Sequence, residues 1–233
     1  MTFSLFDNYD LRTRVSVLVL FASPFILDAY ILIESFRALS GTVLIVTILL
    51  AFSCLFTCWI RFFGKNVVCS DYISIFLSNA SSKIGRTDKA RYFSKISQLE
   101  PSFTTLLGEP ELDASQLKSV SYWLRNKMRD DKYYLVKQEG MNFGFLRNAL
   151  SVKAFFLVVF SLYSIALLLV VFIGMSFEQI QASWLSTLSK YYACILVHIV
   201  SYCIWIFGVT KKLFLFVAEK YAIAVISSID NLS

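Results

Sequence analysis

Four long apolar runs, grouped two and two around a basic middle, restrict this chain more than anything else in it. They cover residues 15–33, 41–60, 154–176 and 191–209, each 19 to 23 residues long. At 1.5 Å per residue, a helix of that length crosses a hydrocarbon layer of about 30 Å. The runs 41–60 and 154–176 contain no acid or base. A helix in water needs a polar stripe, and these two have none. The expected fold class is all-α integral membrane: two transmembrane helical hairpins (four spans) with a mostly helical cytosolic insert between spans two and three.

Composition agrees with that frame. With 57% hydrophobic residues and a mean hydropathy of +0.65, neither a disordered chain nor an ordinary soluble domain fits. Orientation follows the basic residues. Arg12 and Arg14 precede the first run, 15 Lys/Arg lie in 61–153, and Lys211, Lys212 and Lys220 follow the last run. The two short loops on the other side hold one each, Arg37 and Lys190. The expected organisation is a cytosolic N-terminal lead (1–14), transmembrane hairpin 1 (15–60), a basic cytosolic domain (61–153), transmembrane hairpin 2 (154–209) and a cytosolic C-terminal amphipathic helix (210–233). This describes a multi-pass protein of a bacterial inner membrane with both termini cytoplasmic. No cleavable leader is expected, since the first run is too long for one. A core built from the middle segment alone is marginal, so it should lean on other helices or other copies.

Local signals divide the middle further. Residues 66–80 read equally as strand or helix. A short amphipathic helix is expected over 89–99, ended by Glu100-Pro101. Asp113 with Gln116 fits a capping box, followed by an apolar face of Leu117, Val120, Tyr122, Trp123, Leu124 and Met128. Residues 140–148, with Gly140 and Gly144, read as a break and an elbow before span three. Pro24 should kink span one. Residues 213–229 read either as a continuation of span four or as an amphipathic helix at the interface. Small residues are scattered, and no small-xxx-small seam stands out.

Asp28 and His198, the only histidine, are the most informative polar residues in the spans. By helix rise both lie roughly 7–11 Å from the outer boundary. An acid in hydrocarbon must face a partner, a cavity or a pore. They fit a proton- or cation-sensitive pore element or a polar clasp between helices, within one protomer or across copies. Tyr30, Tyr163 and Tyr202 add hydroxyls, as do Ser53, Thr57, Ser161, Ser164 and Ser201. Such groups bond neighbouring helices more often than they line a pore. In the middle segment Trp123, Arg125, Lys127, Arg129, Lys132 and Lys137, with Arg147 beyond, combine charge with aromatic faces. That suits an anionic or nucleotide-type ligand or a cytosolic protein partner, and equally an anionic lipid surface. Cys54 and Cys58 share a helix face but lack further ligands, so packing explains them. No Gly-rich phosphate loop, HExxH, CxxC pair or GxSxG is present, and no cofactor, metal site or enzyme activity is expected.

The stretch Lys137-Gln138-Glu139-Gly140-Met141-Asn142-Phe143-Gly144-Phe145-Leu146-Arg147-Asn148, with Trp123-Leu124-Arg125 and Arg129 before it, resembles an elbow of small four-span proteins of bacterial anti-phage loci. The plan is similar to the membrane effectors of nucleotidyltransferase-type defence systems and, in outline, to the membrane subunit of the Kiwa system. The resemblance implies a defence role at the inner membrane and a homo-oligomer, taken as a tetramer. It transfers no catalytic residue. The expected function is a channel-like effector, gated through its cytosolic domain and acting by leakage and depolarisation. The alternative is a non-conducting sensor or scaffold that recruits a cytosolic partner.

Overall fold

The structure is a computed structural model. It describes residues 8–33, 56, 58–60, 62, 67, 70–103, 113–176 and 184–232, with residues 8, 174–176 and 184–188 described by backbone alone. Among these it is all-helical, with 86% helix and no strand. Three helices are long and apolar enough to cross a membrane: α1 (Leu11–Leu32), the stretch Tyr134–Ile173 and the stretch Ser189–Gly208. The second expected span lies almost wholly outside the described residues, as do the loop 35–40, Cys54, Ser53, Thr57 and Arg37. The remaining elements are α2 (Tyr72–Leu77), α3 (Arg86–Leu99), α4 (Ala114–Lys127), α5 (Tyr134–Ser176), α6 (Trp184–Cys203) and α7 (Lys211–Ser227).

The chain forms two compact units. The first takes Met1–Val67 with Gly144–Leu213, the second Val68–Phe143 with Phe214–Ser233. In the first, each helix contributes one stripe at three- and four-residue spacing. Val17, Leu18 and Phe21 come from α1 and Ala149, Val152, Phe156 and Phe160 from α5; Trp205 and Val209 follow α6. Phe56 and Ile60 join them. Phe156 stacks on Trp205 with ring centroids 4.3 Å apart. Helix α6 ends in a π-helical turn, Ile204–Gly208, closed by Val209 N–H on the Ile204 carbonyl at 3.0 Å. Lys153 Nζ donates to the carbonyls of Ile206 (3.2 Å) and Val209 (2.7 Å), placing a cation where helix carbonyls run out of partners.

The second unit has a core fed by five segments. It joins Ile73, Phe76 and Leu77, then Tyr92, Phe93 and Ile96, then Leu117, Val120, Leu124 and Met128, with Tyr133, Val136 and the C-terminal tail. The ambiguous 66–80 stretch resolves as the short helix α2. Helix α4 starts on the capping box, with Asp113 N–H donating to Gln116 Oε1 at 3.0 Å.

One expectation is corrected. Residues 140–148 are no break: α5 runs unbroken for 43 residues. Mid-helix glycine costs up to about 1 kcal/mol against alanine, and close packing accounts for its use here. A Cβ at Gly144 would meet Tyr9 Oη at 2.8 Å and Thr13 Cγ2 at 2.9 Å, and one at Gly140 would meet the Tyr221 ring at 3.3 Å. The missed small-xxx-small pair is therefore Gly140 and Gly144, each the site of a close approach. For 213–229, read two ways above, the helix is separate from α6, with one face in the second unit's core and Leu213, Phe216 and Ile223 exposed on the other. Thr210 Oγ1 accepts from Leu213 N–H at 3.2 Å and starts a separate helix, α7. Its Ala222 and Val225, with Ile229 and Leu232 just beyond it, complete the second unit's core.

Candidate functional site

The core stripes of the first unit turn polar toward one end. On α1, Phe21 and Pro24 lead to Asp28, fully buried. Pro24 cannot donate to the Leu20 carbonyl, and Ser23 Oγ donates there instead at 3.2 Å. On α6, Cys194, His198 and Tyr202 succeed one another every four residues. On α5, Ser161 and Ser164 lie three residues apart, beside Phe160 and Tyr163. Three helices thus bring their polar members together where a membrane offers no water.

Asp28 Oδ2 lies 2.6 Å from His198 Nε2, and the opposite ring nitrogen, Nδ1, lies 2.8 Å from Ser164 Oγ. Ser164 Oγ donates to the Phe160 carbonyl at 2.8 Å and lies 3.5 Å from the Tyr202 hydroxyl. Tyr202 donates to Ser161 Oγ at 3.0 Å. Tyr163 and Cys194 flank Asp28. Phe160 closes one side, 4.7 Å from the His198 ring and 4.9 Å from that of Tyr202. Asp28 Oδ1 is buried and has no hydrogen-bond partner among the described residues.

Hydrogen-bond accounting defines the states this chain can take. Ser164 has one hydroxyl proton. While it points at the Phe160 carbonyl, His198 Nδ1 must be the donor to Ser164 Oγ. The pair is then neutral overall, as imidazolium with carboxylate or as imidazole with a protonated Asp28. If Ser164 turns its proton to Nδ1, Nε2 carries the other hydrogen and the pair holds one negative charge.

The same three residues follow the order of a nucleophile–base–acid relay. As a nucleophile Ser164 is poorly served. It sits mid-helix in α5, where neighbouring N–H groups are spent on carbonyls one turn back and none remains for an oxyanion. No group of three or more His, Cys, Asp or Glu among the described residues is placed to hold a metal.

Of the sequence candidates, Asp28, His198, Tyr163 and Tyr202 fall in this one cluster. Tyr30 does not; it is half exposed on another face of α1. The basic–aromatic set is dispersed. Arg125 pairs with Asp71 at 2.5 Å, and Lys137 pairs with Asp131. Lys127 covers the Trp123 ring at 5.7 Å, and Lys132 that of Tyr133 at 5.0 Å. Trp123 packs edge-on against Phe103 at 6.0 Å. Arg129 is exposed beyond α4, and Arg147 belongs to the other unit. Ser161 and Ser164, named from the sequence among hydroxyls that bond neighbouring helices, link α5 to His198 and Tyr202; the sequence did not single them out as members of the Asp28–His198 cluster. No protein-family model matches the chain, and neither a curated protein nor a solved structure matches it.

Proposed function

We propose that this protein is a homo-oligomeric, channel-like effector of a bacterial inner membrane that acts in anti-phage defence by leakage and depolarisation. Both termini and residues 61–153 face the cytoplasm, following the split of 20 Lys/Arg against two. The observation that carries the reading is the sealed Asp28–His198 pair between two helices that can span. A well-packed apolar pair would serve stability as well or better. Keeping an acid and an imidazole there points to a charge-dependent switch. Among the described residues, Phe156, Phe160 and Trp205 fill the core of the first unit. Conduction therefore depends on rearrangement of the clasp or on several copies in closed symmetry. Purified protein in liposomes should release an imposed ion gradient, and Asp28→Asn should change that flux several-fold. Absence of ion flux across all lipid compositions and nucleotide triggers applied would overturn the reading.

A second reading, a sensor or scaffold recruiting a cytosolic partner, is favoured by one surface feature. Tyr122 stands 69% exposed on α4, one turn from exposed Lys118 and beside Arg125. Exposed aromatic and basic groups on one helix face suit an acidic protein surface. Lys118→Glu with Arg129→Glu should then abolish pull-down of that partner and leave assembly intact; retention of binding would dismiss this reading.

A further inference from the structure

We infer that the ion handled at this site is the proton, passed along Asp28, His198, Ser164, Tyr202 and Ser161. The inference rests on the channel reading and names what moves. A metal cation needs a cage of oxygens to replace its water. Around Asp28 the neighbours are a phenol, a thiol and an imidazole, and the nearby carbonyls are committed to helices. The rings of Phe25, Phe160 and Tyr163 pack against one another beside the site at 5.0 to 6.4 Å. A proton needs only successive hydrogen-bonded atoms. The chain supplies them at 2.6, 2.8, 3.5 and 3.0 Å.

The transfer balances. Asp28 Oδ1, buried and unpartnered, takes the incoming proton. The carboxyl hands one to His198 Nε2, and the imidazolium releases the hydrogen on Nδ1 to Ser164 Oγ. Ser164 passes its own hydroxyl hydrogen to the Tyr202 oxygen, Tyr202 passes its hydrogen to Ser161, and Ser161 releases one to bulk water, which on the opposite side supplies the proton that enters at Asp28. Each group gains one and loses one; rotation of the hydroxyls and exchange of the histidine tautomer reset the chain. Ser164 must first turn away from the Phe160 carbonyl, and its gap to Tyr202 is the widest link at 3.5 Å. That gap is where the relay opens and closes. The other titratable groups facing the chain are Tyr163 on α5 and Cys194 on α6; from α1 the group is Asp28 itself.

The test uses the full chain in liposomes under an imposed potential, with separate readouts for H⁺, Na⁺ and K⁺. Wild type should move H⁺ in preference to both metals. Tyr202→Phe keeps the ring and the Asp28–His198 contact but cuts the relay, and should lower H⁺ flux by about 100-fold. Tyr192→Phe, on an exposed part of α6, should leave flux unchanged. The single histidine gives one pair of ring ¹⁵N signals. Ser164→Ala should shift the Nδ1 signal, and Tyr202→Phe should leave both in place, which certifies an intact fold. Na⁺ or K⁺ flux at rates equal to H⁺, or Tyr202→Phe with wild-type H⁺ flux, overturns the proton relay and leaves the channel standing. No flux of any ion overturns both.

Discussion

Helix α4 and the later part of α5 each bury one stripe, yet they spend their other faces differently. Around its buried Leu117, Val120 and Leu124, α4 exposes Lys118, Ser119, Tyr122, Arg125, Asn126 and Lys127. Around its buried Phe156 and Phe160, α5 exposes Phe155, Val158, Leu162 and Ile165, and beyond that Leu168, Leu169 and Val170. The packing rule is the same; the outer face records the solvent. In the second unit most charged groups face outward, buried Lys89 excepted, whose Nζ donates to the Ser78 and Ser81 carbonyls, and ion pairs such as Arg91 with Asp230 at 2.9 Å are surface features. In the first unit the ionised or ionisable pair faces inward, because outward there is no water to receive it.

Inverting the polar placement in the first unit should give the largest effect. Replacing His198 by Leu leaves Asp28 buried without its partner, at a cost of about 3–5 kcal/mol. The double replacement Asp28→Leu with His198→Leu should recover most of that stability while abolishing any pH dependence of transport. Unfolding in detergent, read by tryptophan fluorescence, separates the two. If the double variant is no better than the single, the pair is holding the helices together rather than switching them.

The outer faces are tested by paired truncations. Leu124→Ala in the second unit should cost about 2–5 kcal/mol, the usual range for a filled core site. Leu168→Ala in α5, at a residue 56% exposed, should shift the unfolding midpoint little in detergent. Equal losses at both sites would mean that Leu168 is covered by protein, pointing to a second copy on that face. Gly144→Ala comes next in size. The added methyl gains helix propensity, up to about 1 kcal/mol, but drives into Thr13 and Tyr9, and overpacking of that kind costs about 1–3 kcal/mol. A net loss is expected, and a net gain would show that the close approach at Gly144 is relaxed in solution.

Three spans were legible in the sequence because length and lack of charge are local properties that no tertiary contact can rewrite. The capping box at Asp113 was legible for the same reason: its two partners are three residues apart. What the sequence concealed depends on distant partners. Gly140 and Gly144 read as helix breakers until Tyr221, Tyr9 and Thr13 are seen filling the space beside them. Arg125 read as one member of a cationic receptor, but its guanidinium goes to Asp71, 54 residues earlier. The tail's apolar spacing was visible; that it completes a core begun at residue 73 was not. Asp28 and His198 were matched by depth, whereas their contact depends on helix rotation. That rotation was encoded in the stripes 21/24/28 and 194/198/202, each continuous with the core.

The smallest effect lies in the second unit, where a titrating group meets water. The Asp113 carboxyl sits at the start of α4, taking the hydroxyl of Ser115 and the backbone N–H of Ala114, which hold it below its ordinary value. A carboxylate whose folded value is lowered adds stability above its unfolded range, and that contribution disappears as pH falls through the folded value. The midpoint of the second unit should therefore drift down as pH drops below about 4, the ordinary carboxylate range. Asp113→Asn keeps a capping side chain and should remove the drift without lowering the midpoint at neutral pH by much. Hydrogen exchange at the α4 amides across that pH range is the sensitive readout. If α4 protection is flat in wild type, the cap is satisfied by its neutral form, and the contrast between a water-titrated unit and a sealed one loses its simplest marker.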